Sequence, residues 1–212
     1  MRILVLLATL SLFAFLAAPI AHAQYVNFEG HQVHPLELTP DGAKLLAVNT
    51  PDARLSIFNV DGSGNLSLQA EVPVGTEPVS VRARTNSEAW VVNHVSDTIS
   101  IVDLTPGVER VRKTIKTGDE PADVVFAGTG DNRAFVSISQ RNQVDVFDAA
   151  SPTSTALFTI AIDGEDPRAL ARNSAGTEVY AAVFHSGNQT LIVSGETGPT
   201  VPNPRVSDPS GP

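Results

Sequence analysis

Four prolines recur along this chain at nearly constant spacing: Pro35, Pro78, Pro121 and Pro167 stand 43, 43 and 46 residues apart. Three of them close one short phrase, Gly75-Thr-Glu-Pro78, Gly118-Asp-Glu-Pro121 and Gly164-Glu-Asp-Pro167. A second phrase follows each proline. It reads Ala47-Val-Asn49 with Leu55-Ser-Ile-Phe-Asn59, then Val91-Val-Asn93 with Ile99-Ser-Ile-Val-Asp103. The third copy is Phe135-Val-Ser137 with Val144-Asp-Val-Phe-Asp148, and the fourth Tyr180-Ala-Ala-Val183 with Thr190-Leu-Ile-Val193. A fixed period of this length means stacked supersecondary units, none of which can bury its apolar face alone.

Each unit divides into short runs rich in Val and Ile, alternating apolar with polar residues and bounded by turn clusters. In the second copy the pattern predicts strands over 79–83, 89–92, 98–102 and 110–115. Pro40-Asp41-Gly42 is a tight-turn signal, because Pro presets φ and Gly tolerates a positive one. Charged residues make up only 17% of the chain, and no apolar stretch after the N-terminus has helical spacing. The fold class is therefore all-β, a β-propeller built of four-stranded antiparallel blades.

The proline-initiated strand, the Pro-Asp-Gly turn, the Val-Asn strand end and the Ser-Ile-Val-Asp run together resemble the YVTN-type β-propeller repeat. Copies one and two carry the strand-ending Asn49 and Asn93, which Ile138 and Val183 replace in copies three and four. The resemblance spans residues 28–193 and implies rings of about seven blades. The Gly-His and Trp-Asp dipeptides of WD40 repeats are absent.

Four blades are expected, over residues 35–77, 78–120, 121–166 and 167–194, with 24–34 as an outer strand that closes the last blade. Two architectures follow: a closed four-bladed ring, or an open arc of a larger propeller completed by further blades or by a second copy. The stretch 195–212, rich in Pro, Gly and Ser, reads as a disordered tail.

The first 23 residues read as a signal peptide. Arg2 supplies the positive charge, residues 3–20 form an apolar run, and Ala21-His-Ala23 is a small-x-small cleavage site. Cleavage after Ala23 implies a periplasmic or extracellular protein with no membrane attachment. The chain contains no cysteine, which removes disulfides, thiolate metal sites and cysteine nucleophiles. A net charge of −9 argues against nucleic-acid partners.

Candidate site residues come from repeat position. Glu77, Glu120 and Asp166 precede the blade-starting prolines and would ring one mouth of the propeller, focusing negative potential. A repeated turn explains them equally, since the residue before Pro is conformationally restricted. His94 and His185 follow the second strands of blades two and four, and His34 precedes the first inner strand. Together with Asn93 they form a ligand-binding set, and imidazoles on one face suit a divalent metal ion. Thr50 and Ser139 take the histidine slot in blades one and three, which favours a plain loop role. No nucleophile elbow, supported Ser-His-Asp set or phosphate-cradling loop occurs, so no catalytic residue is assigned and no cofactor is predicted.

The expected function is a binding or scaffold module for a protein, carbohydrate or small ligand at the loop-bearing mouth. The alternatives are a propeller enzyme of lactonase or quinoprotein type, resting on fold analogy, and a truncated product of a longer propeller protein.

Overall fold

A computed structural model describes residues 31–185. The signal peptide, residues 24–30 of the expected closing strand, Thr190–Val193 and the 195–212 tail lie outside them. Fourteen strands follow one another in four antiparallel sheets, each sheet ordered as its strands occur in the chain. Blade one holds β1 (Leu36–Leu38), β2 (Lys44–Asn49), β3 (Arg54–Val60) and β4 (Leu66–Pro73). Blade two holds β5 (Pro78–Thr85), β6 (Glu88–Asn93), β7 (Thr98–Asp103) and β8 (Arg110–Lys116). Blade three holds β9 (Pro121–Ala127), β10 (Arg133–Ile138), β11 (Gln143–Asp148) and β12 (Phe158–Ala161). Blade four contributes β13 (Glu165–Arg172) and β14 (Val179–His185). Among the described residues, no strand pairing joins the fourth sheet to the first, and their outward faces leave Leu36, Leu38, Tyr180 and Phe184 exposed, so the described blades form an open arc. No described helix is long and apolar enough to cross a membrane.

Successive side chains of a strand point to opposite faces, so each sheet offers one apolar face to each neighbour. Leu46, Val48, Leu55 and Ile57 of blade one meet Val81, Ala89, Val91, Val102 and Leu104 of blade two. The other face of blade two, with Val79, Trp90, Val92, Ile99 and Ile101, meets Val124, Phe126, Ala134, Val136 and Phe147 of blade three. At that joint Trp90 and Phe126 stand edge to face with centroids 5.3 Å apart, the arrangement their ring quadrupoles favour. Central blades, covered on both sides, read as continuous apolar runs: β6 and β9 are buried along their whole lengths.

The Pro40-Asp41-Gly42 turn forms as its residues require. Gly42 takes φ +69°, its N–H donates to the Thr39 carbonyl at 2.8 Å, and Asp41 accepts from the Ala43 N–H. Residues 31–34 do not lie on an outer blade edge. The Val33 and His34 N–H groups donate to the Val79 carbonyl and Val81 donates to the His34 carbonyl, so this end of the expected closing strand runs parallel to β5.

The blades are fastened by one recurring device. The residue after each second strand reaches the carbonyl of the next blade-starting proline: Thr50 Oγ1 to Pro78 O at 2.7 Å, His94 Nδ1 to Pro121 O at 3.0 Å, and Ser139 Oγ to Pro167 O at 3.0 Å. The hairpin after that strand adds a second bond in two blades. Asp97 Oδ1 accepts from the Glu120 N–H and Asn142 Oδ1 from the Asp166 N–H, both at 3.0 Å.

Candidate functional site

The innermost strands β1, β5, β9 and β13 pack side by side and enclose a polar cavity of about 470 Å³. Its charge comes from all four described blades. Asp123, within the otherwise apolar run of β9, is wholly buried and accepts from Arg82 Nη2 at 3.1 Å and from the Leu170 N–H at 2.9 Å. The same Arg82 nitrogen donates to the Leu170 carbonyl at 3.1 Å. A buried carboxylate persists only where its lone pairs are filled in this way.

On the open side of the cavity, Glu37 Oε2 stands 2.8 Å from His34 Nε2 and 3.8 Å from Arg82 Nη1. The side chains of His34 and Glu37 keep 32% and 27% exposure, so this pair remains reachable from solvent. Asp131 and Arg172 form a further ion pair at 2.6 Å along the same cavity. Arg82 is thus a cation shared between a sealed carboxylate and a solvent-facing one.

Among the residues expected from the sequence, His34 lines this cavity. Glu77, Glu120 and Asp166 all adopt left-handed φ, at +58°, +55° and +56°. The Gly three positions before each of these prolines stands where a side chain would crowd its neighbours. A Cβ on Gly75 would stand 2.6 Å from the Asn93 side chain, and one on Gly118 would stand 2.8 Å from Ile138. Asn93 itself is buried and donates to Thr98 and Ser100, while its Oδ1 has no partner among the described residues.

His94 is the blade-two fastener. A carbonyl can only accept, so its Nδ1 carries the proton, and its Nε2 lies 3.9 Å from Glu120. His185 stands one residue past the corresponding slot. Val183 pairs with Pro167 as Asn93 pairs with Pro78, which places Phe184 where His94 would be. The ring of His185 packs edge to face on Phe184, 4.8 Å away between centroids. Two of the expected residues, His94 and Glu120, therefore come together, His34 lies apart in the cavity, and no described cluster of three His, Asp or Glu has metal-binding geometry.

Glu37, Arg82 and Asp123 were not singled out from sequence. Their signal was present: an aspartate inside Pro-Ala-Asp123-Val-Val-Phe and an arginine ending Pro-Val-Ser-Val-Arg82 interrupt strands that should be apolar.

No protein-family model matches the chain, and no curated protein is similar to it in sequence. Solved structures do match. Hydrazine synthase of Kuenenia stuttgartiensis superposes over 82% of this chain and 47% of its own, with 22% identity and a TM-score of 0.64. The β-propeller domain of Myceliophthora thermophila Cps50 superposes over 70% and 47%, with 14% identity and a TM-score of 0.59.

The fold is a β-propeller.

The periplasmic gluconolactonase of Pseudomonas aeruginosa is similar as well, at 19% identity over 71% of this chain and 46% of its own, with a TM-score of 0.58. This propeller chain spans about half the length of the structures it matches.

Proposed function

We propose that the chain is an exported propeller module that binds a small polar ligand in its axial cavity. The observation that carries this reading is the His34–Glu37–Arg82–Asp123 arrangement. Its inner half is fixed by complete hydrogen bonding, and its outer half offers an imidazole, a carboxylate and the edge of a guanidinium to solvent. Such a set suits a hydroxyl- or carboxylate-bearing molecule of sugar or sugar-acid size, which a cavity of about 470 Å³ accommodates. The apolar N-terminal run with its Ala21-His-Ala23 site supports action in the periplasm or outside the cell.

One observation favours lactone hydrolysis as a second reading. The His34–Glu37 contact at 2.8 Å is the geometry of a general base held by a carboxylate, with Arg82 close enough to stabilise an oxyanion. Thermal-shift screening against neutral sugars, sugar acids and D-glucono-δ-lactone, with pH-stat assay of the lactone, tests both. Binding that His34→Gln or Glu37→Gln weakens, without turnover, supports the module. Turnover abolished by His34→Gln supports the enzyme. Ligand binding indifferent to both substitutions overturns the cavity as the site.

A further inference from the structure

The two ends of the arc carry the two halves of a blade joint. In the interior, a blade meets its predecessor through Ala89, Val91 and Val102 in blade two, all of them wholly buried. In blade one Leu45, Ala47 and Phe58 hold those positions, counting from Asn49 as the counterpart of Asn93. Leu38 and Leu36 pair with Leu45 and Ala47, and Leu68 pairs with Phe58, so all share that face. It has no predecessor in the described arc: Leu36, Leu38 and Leu68 are 54%, 51% and 57% exposed.

The opposite end is complementary in kind. Trp90 pairs with Arg82, the fifth residue of its inner strand counted from Pro78, and Tyr180 pairs with Ala171, the fifth from Pro167. Trp90 is wholly buried against blade three, whereas Tyr180 is 56% exposed and Phe184, on the same face, 70% exposed. Apolar patches of this extent on a soluble fold mark interaction surfaces. In this molecule the interior joints define what covers such a face: the opposite face of another blade of the same repeat.

We propose that the blade-four face carrying Tyr180 and Phe184 docks on the blade-one face carrying Leu36, Leu38 and Phe58 of a second copy, and reciprocally, so that two arcs close one ring. The chain presents both complementary surfaces, one at each end, which is the requirement for a head-to-tail contact that closes on itself. It superposes on about half of each matched structure, so two copies supply about the length of one of those molecules. Among the described residues both end faces are uncapped, the arrangement that repeat architectures avoid.

Sedimentation velocity on the full chain and on two variants tests this. Leu38→Arg and Tyr180→Arg alter side chains already exposed in one copy, so each variant keeps its cooperative melt by circular dichroism. The wild type should sediment as a discrete dimer. Each variant alone should be monomeric, with dimer affinity weakened at least about 100-fold. Mixing the two variants should restore a dimer, because one intact joint survives between them. A monomeric wild type, an open-ended series of larger species, dissociation by only one variant, or no recovery on mixing would each overturn the proposal.

Discussion

Arg82 Nη2 on β5 and Asp123 Oδ2 on β9 stand 3.1 Å apart and tie the second blade to the third at the wall of the axial cavity. The aspartate side chain is 1% exposed and the arginine 18%, so the pair sits where water screens it poorly. Removing one partner leaves a buried charge without its counterion. Arg82→Ala should therefore cost about 3 kcal/mol in urea unfolding. The neutral double variant Arg82→Met, Asp123→Leu should recover most of that loss, which a double-mutant cycle would reveal.

The fastener position yields a swap. Thr50, His94 and Ser139 make the same bond to the next proline carbonyl with three different side chains. His94→Ala should cost about 1–2 kcal/mol by leaving the Pro121 carbonyl without its partner. His94→Thr should regain much of it, since blade one already uses threonine. If both variants lose equal stability by chemical denaturation, the histidine serves something other than the joint.

Ala53, Asp97 and Asn142 occupy the matching hairpin residue in three blades, all with φ near +50°. Asp97 and Asn142 suit the left-handed region and bond to the following blade, whereas alanine does neither. Ala53→Asn should stabilise the protein by up to about 1 kcal/mol, the steric cost that asparagine partly escapes. A lower melting temperature would refute the equivalence of the three hairpins.

Asp61 closes the turn between β3 and β4. The Asn65 side chain donates to its carboxylate at 2.9 Å and the Ser63 and Asn65 N–H groups at 2.8 and 2.9 Å, which holds its pKa below the usual value. A depressed folded-state pKa adds stability that is complete above about pH 4 and lost as pH falls through the folded value. Asp61→Ala should lower the melting temperature at pH 7, and the gap to wild type should shrink as the pH falls below the usual aspartate range. An unchanged gap would mean that the turn is held by something other than the charge.

Local pattern makes the blades legible in the sequence. The run expected at 98–102 forms β7, Thr98–Asp103, and that expected at 110–115 forms β8, Arg110–Lys116. Period-two alternation, turn residues and a fixed repeat are all short-range information. The cavity was harder to read because its charges converge from all four described blades, 37 to 172 along the chain, through contacts that only blade stacking creates. His185 was misplaced for a related reason. The ladder pairs Val183 with Pro167, which puts Phe184 in the fastener slot and leaves His185 one residue beyond it.

The chain has one tryptophan, and it lies wholly buried at the joint of blades two and three, against Phe126. Its fluorescence is thus a spectroscopic reporter of a single internal seam. Emission will stay blue-shifted while the outer blades fray, and its red shift dates the moment the middle of the arc comes apart. Compared with the backbone signal of all four sheets, that one indole separates melting from the ends from collapse of the whole.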